Sequence, residues 1–170
     1  TYIKPQQRMG CYMDFAAAGV KLQNSGYLSI PRFWTGENKY NWSYVDNLLK
    51  QQLSTAPDAK IMIYLFVSVP EWYYKKNPDD REQYYDPSGK LRTITYRGPL
   101  ASDRALADEV KMLNALVRYI EKSPYGKHVF AYLVGGGGGA EWYWPAHWEG
   151  VSGYSPTTLR SFRTWLKQNY

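Results

Sequence analysis

The sequence predicts an α/β chain with parallel strands, of the (β/α)₈-barrel type. Three observations point there. Strand-like apolar runs alternate with stretches of helical spacing. The run Ile61-Met62-Ile63-Tyr64-Leu65-Phe66-Val67 is unbroken by charge, as in a parallel strand buried on both faces. The long polar loops follow the strands at their C-terminal ends, the face that carries the active site of such a barrel. A closed barrel takes about 250 residues, and only four strands are legible in these 170. The expectation is therefore one partial domain over residues 1–170, covering the first four β/α units.

In chain order, Met9 to Phe15 reads as a weak first strand. Gly26 to Trp34 reads as a second, ending in the loop Thr35-Gly36-Glu37-Asn38. Ser43 with Asp46 resembles a capping box, with Asp in the usual Glu/Gln place. Val45, Leu48, Leu49 and Leu53 then follow helical spacing. Ala59 to Val69 is the third strand. Pro70 to Leu100 reads as a long irregular stretch, and loops of that length in compact domains are functional or disordered. Ser102 is placed to cap a helix running to about Lys122, with Leu106, Val110, Leu113, Val117 and Ile120 as its apolar stripe. Ser123-Pro124-Tyr125-Gly126 is a turn, and Val129 to Val134 is the fourth strand. Ser155-Pro156 reads as N-cap and N1 of a last helix, whose buried face would be Leu159, Phe162, Trp165 and Leu166.

Composition narrows the function classes. The balance of 21 Lys+Arg against 15 Asp+Glu is basic, yet the cations are scattered rather than clustered, which argues against a nucleic-acid partner. The 17 Tyr and 7 Trp against 5 Phe favour flat rings with polar edges, suited to ligand clefts as well as to a core. The single Cys11 excludes an intramolecular disulfide and a cysteine zinc cluster. His128 and His147 offer little for a histidine metal site, and no metal or organic cofactor is expected. No apolar run reaches the ~18 residues of a membrane span, and no signal peptide opens the chain. Thr1 is not a natural start, so an upstream segment is expected to have been removed or omitted. The compartment stays open; the expectation is a soluble chain, with secretion or a periplasmic location after loss of a leader among the options.

The chemistry concentrates after the fourth strand. Five glycines, Gly135 to Gly139, lead into Ala140-Glu141-Trp142-Tyr143-Trp144. A carboxyl group among aromatics has its pKa raised by desolvation, which is what a general acid facing a sugar ring needs. Glu141 is thus the leading catalytic candidate, and a surface Glu in an aromatic loop is the plainer alternative. The glycine run lacks a Gly-Lys-Ser/Thr ending and a G-x-G-x-x-G register, so it is no phosphate loop; it suits a sharp bend with close approach of substrate to backbone.

Arg32, at the end of the second strand, is placed to orient a carboxylate across a barrel mouth, or is structural. Trp72 offers a stacking platform. Glu71 either binds a hydroxyl or caps a turn. Trp34 belongs to the rim or to the core. Trp142 and Trp144 are candidate linings of sugar subsites. Asp79, Asp80 and Asp86 are the acidic groups available for a cation, but their spacing fits no defined site.

The stretch Tyr40-Asn41-Trp42-Ser43-x-x-Asp46, then Val69-Pro70-Glu71-Trp72, then Asp86-Pro87-Ser88-Gly89, resembles the N-terminal half of beta-galactosidase-like glycoside hydrolases. These are the family 42 enzymes and relatives in the clan of retaining (β/α)₈-barrel glycosidases. Gly139-Ala140-Glu141-Trp142 falls where that clan carries its acid/base glutamate, after the fourth strand. Tyr154-Ser155-Pro156 through Phe162-Arg163-x-Trp165-Leu166 is similar to the helix that follows. The resemblance implies double displacement on an O-glycosidic bond, with Glu141 as acid/base. It departs at Ala140, where the clan has Asn. It also implies a nucleophilic Glu after a seventh strand, beyond the four seen here. The remaining half of the barrel is then expected as a partner, whether a continuation, a second chain or self-association. The rival from another class is a non-catalytic carbohydrate-binding protein on a degenerate glycosidase scaffold.

Overall fold

The computed structural model describes residues 5–66, 68–94, 100–135 and 150–170. The chain opens with a helix, α1 (Pro5–Ala17), where a first strand was expected. The aromatics of Met9 to Phe15 suggested a strand, but Tyr12 and Ala16, four residues apart, turn to one side of a helix that lies against the later helix Trp42–Thr55. That spacing is helical.

Strand β1 (Leu22–Leu28) starts and ends earlier than the Gly26–Trp34 expectation. A bulge falls between Asn24 and Tyr27, where Gly26 sits at φ +69° and its N–H donates to Asn24 Oδ1 at 2.7 Å. Pro31 stops the strand, since a proline in the first turn favours helix, and Ile30–Phe33 forms the single turn α2. A small hairpin follows, β2 (Trp34–Gly36) and β3 (Lys39–Tyr40).

Helix α3 (Trp42–Thr55) is capped by Asn41, whose Oδ1 accepts from the Tyr44 N–H at 3.2 Å. The expected Ser43–Asp46 box does not form; Asp46 instead accepts from Tyr119 Oη at 2.8 Å. The nearest side chain able to reach an unpaired N–H of the first turn takes the capping role, and Asn41 stands two residues before Ser43.

Strand β4 (Lys60–Phe66) pairs in parallel with β1 on one side and with β7 (Val129–Gly135) on the other. Among the described residues the parallel sheet therefore has three strands, and the strand leading to the glycines is its third, not its fourth. Ile61, Ile63 and Leu65 are fully buried, in one cluster with Val45 and Leu49 of α3 and Met112, Leu116 and Ile120 of α5 (Asp103–Lys122). Burying such side chains is worth about 1.5–3 kcal/mol each, which ties both helices to this face. The opposite face is not buried as expected. Met62, Tyr64 and Phe66 are half-buried, Tyr27 and Leu133 are exposed, and the ring of Tyr27 stands edge-on to Tyr64 and Phe66.

The described residues of the stretch 70–100 hold more regular structure than expected. It holds α4 (Glu71–Lys76), a 3₁₀ turn at Pro78–Asp80, and the hairpin β5 (Gln83–Tyr85) and β6 (Leu91–Thr93). The hairpin turn is built by Asp86, whose Oδ1 accepts from the N–H groups of Ser88 and Lys90 and whose Oδ2 accepts from Arg92 Nε. Gly89 takes φ +79° there, a region open to glycine.

Helix α5 is capped by Ser102, and α6 (Pro156–Asn169) by Ser155 with Pro156 in its first turn, as expected. Their buried faces differ from expectation. On α5 the inward stripe is Ala105, Glu109, Met112, Leu116 and Ile120, while Leu106 and Val110 are exposed. Ile120 is buried as expected and Leu113 packs against the core, but the first turns face inward one residue earlier, through a glutamate that a hydrophobic count passes over. On α6, Phe162, Trp165 and Leu166 are exposed. The last strand, β8 (Val151–Ser152), pairs with β5. No helix among the described residues is long and apolar enough to cross a membrane.

Candidate functional site

Parallel pairing brings the ends of β1, β4 and β7 to one edge of the sheet, with Leu28 opposite Leu65 and Phe66 opposite Gly135. The segments carrying Arg32 and Trp34, then Glu71 and Trp72, then the glycine run, all leave from that edge. Glu141, Trp142 and Trp144, with His147, lie outside the described residues.

Arg32 is exposed on α2 and makes no ion pair among the described residues. Trp34 is 3% exposed. Its ring stands edge-on to Trp72 at 5.2 Å, and Trp72 Nε1 donates to the Trp34 carbonyl at 3.0 Å. The structure thus brings Trp34 and Trp72 together, with one indole N–H spent on the backbone. Trp34 Nε1 is buried and makes no hydrogen bond among the described residues. Glu71, in the first turn of α4, is exposed and accepts from Arg81 at 2.6 Å; that hydrogen bond holds its carboxyl below the usual range.

The acidic groups weighed for a cation are engaged otherwise. Asp86 builds the hairpin turn. Asp80 is fully buried: its Oδ2 accepts from Tyr73 Oη (2.7 Å), Ser102 Oγ (3.0 Å) and Arg104 (3.0 Å), and its Oδ1 from Thr157 Oγ1 (2.7 Å). Burial alone would raise its pKa, but these hydrogen bonds outweigh it and hold Asp80 below the ordinary carboxylate value. No cluster of three or more metal-ligating side chains occurs among the described residues.

Sequence reasoning missed how the chain from Gly150 to Thr158 is held. Glu82 is 2% exposed. Its Oε1 accepts from the N–H groups of Gly153 (3.1 Å) and Ser155 (3.3 Å), and its Oε2 from Thr158 Oγ1 (3.0 Å). Gly150 packs on the Tyr85 backbone so closely that a Cβ would fall 1.8 Å from the Tyr85 oxygen. Asp80 and Glu82 thus bind the start of α6 to the 80–85 segment. A sequence signal existed: two acids spaced by one residue, ahead of a Ser-Pro-Thr-Thr helix start that supplies donors.

The backbone is similar to two solved enzymes. A β-galactosidase from the psychrophilic Marinomonas ef1 matches 99% of this chain with a TM-score of 0.63 at 17% identity; the match spans 24% of that chain. The catalytic domain of a β-amylase from Paenibacillus polymyxa matches 96% with a TM-score of 0.60 at 16% identity, spanning 43% of that chain. The likeness is one of fold. It is consistent with part of a barrel: a three-stranded parallel sheet with helices along one face. No protein-family model and no curated protein matches the sequence.

Proposed function

We propose that this chain is part of a glycoside hydrolase barrel, β-galactosidase-like, that cleaves O-glycosidic bonds by double displacement. The observation that carries the reading is the common sheet edge. Three post-strand segments, with Arg32, the Trp34–Trp72 pair and the glycine run before Glu141, depart from it. The fold shared with a β-galactosidase and a β-amylase supports the substrate class.

In this reading Glu141 gives its proton to the glycosidic oxygen as a carboxylate attacks the anomeric carbon. The leaving sugar departs with that proton, and a glycosyl–enzyme ester remains. Glu141, now ionised, takes a proton from water as the water attacks the same carbon and releases the carboxylate. The nucleophile comes from outside this chain. Glu71 is a poor substitute, because Arg81 already holds it at the surface. Arg32, whose guanidinium has no ion-pair partner among the described residues, orients the incoming nucleophile. Trp72, Trp142 and Trp144 line sugar subsites.

The remaining half of the barrel completes the site. The uncovered face of Tyr27, Tyr64, Phe66 and Leu133 is where further strands would close over the interior. The chain spans well under two thirds of either similar enzyme.

The test is hydrolysis of a panel of aryl glycosides by the full-length protein and by Glu141→Gln. The variant is expected to lose at least 100-fold on substrates with poor leaving groups. Undiminished turnover removes Glu141 from the role. The non-catalytic reading is favoured by the engagement of Glu71 and by Ala140 in the place of Asn; sugar binding without turnover by the full-length protein selects it.

A further inference from the structure

A groove lies at the other edge of the sheet, where β1 and β4 begin. The turn after α1, with Val20 and Lys21, forms one wall, and the turn after α3, with Ala56 and Asp58, forms the other. The register that sets Leu22 beside Lys60 holds the two turns together, and the Lys60 N–H donates to the Lys21 carbonyl at 2.7 Å. The groove holds about 220 Å³ of solvent-accessible space. A cavity of about 150 Å³ takes a benzene molecule, so a ligand of about eight heavy atoms fits here. Strand β4 is seven residues long, which puts the groove about 20 Å from the edge where the segments of Arg32, Trp72 and the glycine run depart.

The lining carries one charge of each sign. Lys21 and Asp58 stand on the two walls, both exposed, and neither makes an ion pair among the described residues. Gln23 is the buried polar side chain of the groove, at 6% exposure. Its Oε1 accepts from Gln52 Nε2 at 3.3 Å, and its Nε2 donates to the Val20 carbonyl at 3.2 Å. Those two partners fix which way the amide points. A primary amide has two N–H donors, so one is left without an acceptor among the described residues. Helices α1 and α3 both end at the groove, and a helix C-terminus carries partial negative charge. The remaining side chains, Ala16, Val20, Ala56 and Ala59 among them, are small and apolar.

We propose that this groove binds a free α-amino acid with a small aliphatic side chain. The carboxylate of the ligand takes the Lys21 ammonium and the spare Gln23 N–H, a charged and a neutral donor on one side. Its ammonium takes Asp58, on the side where α3 ends. The aliphatic side chain rests on the alanines and Val20, where removal from water favours binding. A carboxylate alone leaves Asp58 without a counter-charge, and an amine alone leaves Lys21 and the Gln23 amide without an acceptor. The zwitterion answers both walls at once. The inference concerns the edge of the sheet remote from Glu141 and does not rest on the glycosidase reading.

The test is a calorimetric titration of the full-length protein with L-valine, with isovalerate, which lacks the ammonium, and with isobutylamine, which lacks the carboxylate. Valine is expected to bind in the millimolar range, as suits so few atoms. Each half-ligand should bind roughly 5-fold more weakly or worse, the weight of one exposed ion pair. Lys21→Met should weaken valine and isovalerate by a similar factor and leave isobutylamine unchanged, and Asp58→Asn should do the converse. Both side chains are exposed, so these variants keep the fold. L-Tryptophan, too large for the groove, should bind more weakly than valine. The proposal is overturned by no binding of valine, by either half-ligand matching it, by unchanged valine affinity in either variant, or by tighter binding of tryptophan.

Discussion

The 80–82 segment and the middle of α5 each bury acid groups, and they do so in opposite ways. Asp80 and Glu82 are 0% and 2% exposed and are surrounded by donors from α4, α5 and the start of α6. Glu109, on the inward face of α5, is 6% exposed and accepts no hydrogen bond among the described residues. Burial pushes its carboxyl up to about 7. Asp80, also closed off from solvent, is held down. The donors pointed at Asp80 offset its desolvation, and Glu109 has none among the described residues to do so.

The largest effect should come from removing the donor-rich acid. Asp80→Ala leaves Tyr73, which is itself fully buried, with an unpaired hydroxyl, and it unties α6 from α5. A loss of about 3–5 kcal/mol is expected, measured by denaturant unfolding near neutral pH. A loss below about 1 kcal/mol would mean that water replaces the network without cost, and the contrast with Glu109 would collapse.

The second effect has the reverse sign. Glu109→Met removes a carboxyl that must ionise in an apolar place, and methionine keeps the length and helix preference. In the wild type, the folded value near 7 lies above the unfolded value of 4.5. The folded state therefore binds the proton more tightly. This contribution to stability is fully present below about pH 4.5 and is lost as pH rises through about 7. Glu109→Met should gain up to about 3 kcal/mol at pH 8 and little at pH 4.5. Asp80 supplies the opposite limb. Its depressed value supports the fold above the ordinary carboxylate pKa, and that support fades as pH falls below it. Melting curves from pH 3 to pH 9 on wild type and Glu109→Met separate the two limbs.

The third effect tests whether the 80–85 segment depends on close backbone contact as well as on charge. Gly150→Ala places a methyl group against the Tyr85 carbonyl. A loss of about 2 kcal/mol is expected, with faster amide exchange at Ser152 and Tyr84, which face each other across β5 and β8. Unchanged exchange would show that Glu82 alone holds the return of the chain.

This contrast also explains what the sequence revealed. Alternating apolar runs exposed β4, β7 and α5, because burial of Ile63 or Leu116 leaves a hydrophobic trace. Ser102 and Ser155 were legible as caps, because a helix start needs an acceptor at a fixed offset. The first strand was misread, since Tyr12 and Phe15 favour strands in isolation while their setting is helical. The α5 stripe was misread for the reason that makes Glu109 interesting: a buried charge is invisible to a hydrophobic count. Asp80 was weighed only for a cation and Glu82 was passed over, because most of their donors come from 22 to 77 positions away. At the candidate site, the convergence of Trp34 with Trp72 follows from parallel strand order. The unpaired Nε1 of Trp34 does not, because it depends on where every nearby acceptor points.

The smallest effect separates a cap from the network it joins. Asn41 caps α3 at an exposed position, and its side chain accepts from the Tyr44 N–H. Ser102 accepts from the Ala105 N–H at 3.2 Å and also donates to Asp80 at 3.0 Å. Asn41→Ala should cost about 1 kcal/mol, an ordinary cap. Ser102→Ala should cost about 2 kcal/mol, the excess being its hydrogen bond to a buried charge. The excess should vanish when Ser102→Ala is made in an Asp80→Asn background, since the cap persists and the charge does not. A double-mutant cycle measures that difference directly. Equal costs for Asn41 and Ser102 would place the stabilisation of Asp80 in Tyr73, Arg104 and Thr157 alone, and the start of α5 would be a neighbour of the network rather than a member.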